Sequence, residues 1–200
     1  MEDNRGSDEV GIKMGKVFLK KYFEELTIAI TPQDVVLDKL LLAKEVLVTT
    51  QKMNKKILVI GNGGSAAMAS HMSVDLTKSA RIRAINFNEA DLLTCFSNDF
   101  GYDHAYAKAI EYYGDKDDVL IAISSSGKSA NIINAVEQAR KEKFKYVITF
   151  SGMNAENPLY KSGDTNFWVD SRAYNIIENT HQIWMLSLVD LIIGKSEYSA

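Results

Sequence analysis

The sequence predicts a single α/β domain, a three-layer sandwich with helices on both faces of a parallel sheet and a helical extension at the N-terminus. Two observations carry this. From residue 57 onward, short continuous apolar runs alternate with stretches of helical periodicity, the pattern of βαβ units whose strands are buried on both faces. Ahead of them, residues 10–50 show helical spacing and no strand signal. A chain of 200 residues, 46% apolar and 24% charged, is long enough and apolar enough to bury one such core.

Residues 1–9 are polar and acidic and are expected to form a disordered tail, leaving 10–200 as the domain. Met14, Val17, Phe18, Tyr22, Leu26 and Ile30 recur at helical spacing. Thr31-Pro32 then punctuates, with the threonine suited to cap a second helix and the proline to sit in its first turn. That helix spans Val35 to Val48, with Val36, Leu40, Ala43 and Leu47 on successive turns. The apolar surface of the two helices is broad, which fits either an oligomer interface or a cover for the sheet. Strands are expected at Ile57–Ile60, Ile82–Phe87, Val119–Ile123, Tyr146–Phe150 and Phe167–Val169. Helices fill the gaps at Ser65–Lys78, Ala90–Phe96, Ala105–Tyr113 and Ala130–Lys141, and Asn175–Ile193 closes the chain. Cys95 reads as a small buried hydrophobe, and Trp168, Trp184 and Met185 as core.

Composition excludes several functions. With 23 Lys and Arg against 26 Asp and Glu, the formal charge of −3 leaves no basic excess for a nucleic-acid backbone. One cysteine excludes a disulfide framework and a cysteine-type zinc site. The chain has no 18-residue apolar run and no signal-peptide core, so a cytoplasmic protein without membrane contact is expected.

The most informative feature is a pair of similar strand-to-helix junctions. One reads Gly61-Asn62-Gly63-Gly64-Ser65 after an apolar run, and the other Ser124-Ser125-Ser126-Gly127-Lys128-Ser129 after another. In an open parallel sheet, ligands bind at the carboxyl ends of the strands, where helix N-termini offer free N–H groups and a positive dipole end. Glycines admit an anion close to the backbone, and serine hydroxyls add neutral donors, a combination suited to a phosphate monoester. Neither loop fits a nucleotide fingerprint: Ala66 takes the third glycine position of G-x-G-x-x-G, and no G-x-x-x-x-G precedes Lys128. No nucleotide cofactor is expected.

These loops, with Ser97-Asn98-Asp99-Phe100-Gly101 and Asp117-Asp118 ahead of the serine loop, resemble the sugar isomerase (SIS) family of phosphosugar-binding domains, and within it the phosphoheptose isomerases. The similarity runs over roughly residues 10–195. It implies a flavodoxin-like, five-stranded parallel sheet and a homotetramer assembled partly through the N-terminal helices. It also implies aldose–ketose isomerisation of a phosphosugar, sedoheptulose 7-phosphate to a heptose 7-phosphate, feeding lipopolysaccharide or capsule synthesis. Asn62, Gly63, Ser65, Asp99, Ser124, Ser125, Ser126 and Ser129 would hold the substrate. The alternatives are a non-catalytic phosphosugar-binding or protein-binding homologue and an isomerase of another phosphosugar.

The chemistry needs a base near C1 and C2 and a partner that moves a hydroxyl proton. Among three histidines, His71 stands four residues before Asp75, and His181 three after Glu178, each pair on one helix face. Such pairs could serve as acid/base couples, as an N/O metal site or as solvated surface pairs, while His104 reads as exposed. By resemblance, His71 matches a zinc ligand. Asp75 stands in place of a catalytic, metal-binding glutamate, and Glu178 in place of a metal-associated glutamine. Leu186 replaces a second catalytic histidine and Asn175 an aspartate, so a zinc site of His71, Asp75 and Glu178 is incomplete. His181 could substitute for the lost histidine, although five residues rotate a helix by about 500°, nearly 140° off the original direction. Alternatively, Glu178 is the base and His181 assists ring opening, as in other sugar isomerases of the family.

Overall fold

The computed structural model describes residues 5–197, with side chains from residue 11 onward. The element order is α1 (Arg5–Ile30), α2 (Asp34–Lys52), β1 (Ile57–Gly61), α3 (Gly64–Lys78), β2 (Ala84–Ile85), α4 (Ala90–Phe100), a 3₁₀ turn at Tyr102–His104, α5 (Ala105–Tyr113), β3 (Val119–Ser124), α6 (Ala130–Lys141), β4 (Tyr146–Gly152), β5 (Thr165–Val169) and α7 (Tyr174–Ile193). All neighbouring strands pair in parallel, in the order β2-β1-β3-β4-β5. This order places a topological switch point between β1 and β3, where a crevice opens at the carboxyl ends of the strands.

Alternation along the buried strands builds two cores. Ile57, Val59, Ile121, Ile148 and Phe150 face one side with residues of α2, α3 and α7. Leu58, Ile60, Leu120, Ala122 and Val147 face the other with residues of α5 and α6. Each strand residue of β1 and β3 is buried, as the continuous apolar runs require.

Several expectations change; among them, Trp168 is half-buried beside α1 and α2 rather than core, and Pro32 precedes the N-cap of α2 rather than sitting in its first turn. The strand expected at Ile82–Phe87 contracts to Ala84–Ile85, because it lies at the sheet edge and pairs on one side only. Thr31 does not cap α2, whose N-cap is Gln33; its hydroxyl bonds back to Thr27 O at 2.7 Å and ends α1 instead. Helix α1 begins at Arg5, so residues 5–9 of the expected tail are helical, while residues 1–4 lie outside the described residues. Cys95 is exposed rather than core, because α4 lies on the surface with no buried residue.

Helix α1 packs on α7, where Trp184 Nε1 donates to Ile30 O at 3.0 Å. Its other faces leave Ile12, Met14, Val17, Phe18, Leu19, Phe23 and Ile28 exposed. Among the described residues, no helix is long and apolar enough to cross a membrane.

Candidate active site

The two junctions meet at the switch point. Asn62, Ser65, Ile123, Ser124, Ser125, Ser126, Ser129, Tyr174 and Glu178 line a cleft of about 130 Å³. Neither α3 nor α6, whose N-caps are Gly63 and Ser129, has a side-chain cap. Both helices start at the cleft, beside its lining residues Ser65 and Ser129, so their positive dipole ends favour an anion there.

The loops are tied together. Asn62 and Asn131 exchange amide hydrogen bonds, Nδ2 to Oδ1, at 2.9 Å in each direction. Tyr102 donates its hydroxyl to Asn62 Oδ1 at 2.9 Å. Tyr106, buried beneath, donates to Gly61 O at 2.6 Å, and burial pushes its phenol up to about 12, so it remains a donor at neutral pH. On the second loop the hydroxyls of Ser124 and Ser129 lie 3.1 Å apart, and Ser126 Oγ accepts from Lys128 N at 3.2 Å. The loop tip, Gly127, has φ +64° and a Cβ there would overlap Asn157, so the turn admits only glycine.

Glu178 is half-buried on the second turn of α7 and reaches over the cleft. Ser125 Oγ donates to its Oε1 at 3.4 Å. Its carboxylate also lies against Gly64 so closely that a Cβ would collide with Oε2. The positive end of α3 thus faces a fixed carboxylate, a stabilising pairing.

Other expected residues are placed elsewhere. His181 is fully buried: its Nε2 lies 3.0 Å from Ser151 O, its ring packs edge-on against Phe150, and Nδ1 has no hydrogen-bond partner. Burial lowers its pKa from 6.5 to about 4, so it is neutral and Nε2–H is the donor. The structure therefore does not bring His181 to the cleft beside Glu178, and a role in ring opening is corrected. Asp99 is also corrected: α4 extends to Phe100, and Asp99 pairs on that exposed helix with Asn98 and Cys95 rather than lining the cleft. His104 is exposed in its 3₁₀ turn.

His71 and Asp75 do meet, with Nε2 and Oδ2 3.2 Å apart. Gln182, one turn beyond Glu178 on α7, lies 2.9 Å from His71 Nδ1 through its amide nitrogen. These residues do not fit a zinc ion. Glu178 is directed at Ser125 and Gly64, Leu186 brings no donor, and among the described residues no three His, Cys, Asp or Glu side chains gather to hold a metal. Gln182, Tyr102, Tyr174 and Asn131 were not visible as site residues in the sequence; only the four-residue step from Glu178 to Gln182 hinted at a shared face.

A family model described as the SIS domain matches residues 21–152, well over half of the chain. The chain belongs to the SIS domain family. A phosphoheptose isomerase of Buchnera aphidicola is 37% identical over 149 residues, 72% of this chain and 76% of that protein. The solved phosphoheptose isomerase of Neisseria gonorrhoeae superposes with a TM-score of 0.80 at 27% identity, covering 90% of this chain and 98% of that one. The fold is also that of a phosphoheptose isomerase from Francisella tularensis, with a TM-score of 0.80 at 24% identity, covering 92% and 98%.

Proposed function

We propose that this SIS domain is an aldose–ketose isomerase of a phosphorylated sugar, converting sedoheptulose 7-phosphate to the heptose 7-phosphate, with Glu178 as the base. The observation that carries it is the Glu178 carboxylate beside the Ser125 hydroxyl, in a cleft otherwise walled by neutral donors and two helix N-termini. The names of its 37%-identical and 27%-identical relatives support the same reading. The phosphate takes the hydroxyls of Ser124, Ser126 and Ser129 and the N-terminus of α6. Asn62 and Ser65, on the facing loop, hold the sugar hydroxyls. Glu178 removes a proton from C1 of the ketose as the C2 carbonyl becomes an enediol, and returns it to C2 to give the aldose. The hydroxyl proton moves from O1 to O2, so no atom or electron is gained or lost.

The exposed apolar residues of α1 support a homotetramer assembled partly through that helix; the name of its relatives, phosphoheptose isomerase, supports a cytoplasmic enzyme supplying heptose for lipopolysaccharide or capsule. Conversion of sedoheptulose 7-phosphate, followed by NMR, is the test. Because His71, Asp75 and Glu178 do not form a metal site, turnover is expected to persist after chelation and to gain nothing from added zinc. Loss of turnover on chelation with recovery on zinc would overturn the metal-free reading, and no turnover by folded protein would overturn the reaction. Ser124→Ala and Ser126→Ala are each expected to weaken phosphosugar affinity by about 0.5–1.5 kcal/mol, the net worth of one neutral hydrogen bond. Unchanged affinity on calorimetric titration would place the phosphate elsewhere.

A further inference from the structure

At the end of β4 lies a buried polar junction packed against both α7 and the serine loop. Ser151, Asn157 and His181 are all fully buried. His181, one turn along α7 from Glu178, bonds through Nε2 to Ser151 O at 3.0 Å. Asn157 Nδ2 donates to Ser151 Oγ at 3.1 Å and to Asn154 O at 2.7 Å, while its Oδ1 accepts from Tyr160 N at 2.8 Å. The same asparagine packs directly on Gly127 at the tip of the serine loop, and Leu159 N donates to Gly127 O at 3.1 Å. Gly152 N donates to Ser125 O at 3.0 Å, and Ile177 of α7 packs against Gly152. Both walls of the cleft, the Glu178 helix and the serine loop, are thus anchored to two residues of β4.

His181 buries a ring nitrogen with no partner, which an apolar side chain would avoid. A directed N–H donor in the core contributes instead by fixing where α7 lies along β4. We propose that His181, acting through Ser151, and Asn157, acting through Gly127 and Ser151, are positioning residues that set the separation between the Glu178 carboxylate and the serine loop. The proposal rests on Glu178 being the base.

The test compares His181→Leu, His181→Gln and Ser151→Ala with the unaltered chain for kcat, KM, melting temperature and the side-chain carboxyl ¹³C resonance of Glu178, assigned by its loss in Glu178→Gln. A displacement near 1 Å costs on the order of a hundredfold in rate. His181→Leu is therefore expected to lose roughly ten- to a hundredfold in kcat with KM little changed, a loss out of proportion to any fall in melting temperature. His181→Gln keeps an N–H donor and recovers part of the loss. Ser151→Ala, a smaller change that leaves the backbone carbonyl in place, moves kcat and the carboxyl resonance in the same direction by less, and reads the junction even if His181→Leu does not fold. Unchanged kcat in His181→Leu, or losses that track melting temperature and are not recovered by His181→Gln, would overturn the proposal. If the unaltered chain turns over no phosphosugar, the isomerase reading fails separately. The carboxyl resonance then decides the junction: displaced in His181→Leu and restored in His181→Gln supports it, unmoved overturns it.

Discussion

Glu178→Gln is expected to lower kcat by roughly 10²–10⁴-fold, the contribution of a positioned general base, while leaving phosphosugar affinity nearly intact. The amide matches the carboxylate in shape and can still meet Ser125 Oγ, which lies 3.4 Å from Glu178 Oε1. Gly64 leaves room for it without a shift. What the amide lacks is a lone pair basic enough to take a proton from carbon. The serine loop is untouched, so the phosphate should bind as before. Steady-state kinetics together with calorimetric titration separate the two effects. A fall in affinity as large as the fall in rate would make Glu178 a binding group, and an unchanged rate would remove it from the chemistry.

The second large effect is on stability in acid. The folded protein holds His181 neutral down to about pH 4, because burial disfavours its charged form, whereas a free imidazole takes a proton near 6.5. Between these values the unfolded chain binds the extra proton and the folded chain does not. Stability is therefore expected to be fully present above pH 6.5 and to fall as pH drops toward 4, by up to about 3 kcal/mol from this one group. Urea unfolding across that window, with His181→Gln lacking this component, checks it. Equal acid sensitivity in the two proteins would mean that His181 is not the buried, neutral group described.

Much of this architecture was legible in the sequence. Helices α5 and α6 fall at the residues expected, because apolar periodicity, a turn and a charged or glycine boundary agree at both ends. The serine loop and the Gly61–Ser65 loop come together as their similarity implied, since parallel neighbours β1 and β3 must present their carboxyl ends side by side. The edge strand was less legible: Ile82 and Phe87 are buried as apolar residues should be, yet only Ala84 and Ile85 pair, and burial alone does not signal a ladder.

His181 leaves the face of Glu178 for a geometric reason. Three residues turn a helix by about 300°, so partners share a face only to within about 60°. On α7, whose inner side is buried along its whole length, that angle separates Glu178 in the cleft from His181 in the core. The four-residue step to Gln182 stays closer to the Glu178 direction, and Gln182 is the residue that reaches His71. Asp99 lies away from the cleft because Gly101, with φ +79°, ends α4 only after Phe100, which keeps the aspartate on an exposed helix.

The central claim, an enediol isomerisation with Glu178 as the base, is tested most directly by running the conversion of sedoheptulose 7-phosphate in deuterium oxide. A carboxylic acid formed by proton removal exchanges with solvent, so deuterium is expected at C2 of the aldose product and at C1 of recovered ketose, and in neither with Glu178→Gln. Turnover that leaves both carbons free of deuterium, or deuterium incorporation undiminished in Glu178→Gln, would contradict the account.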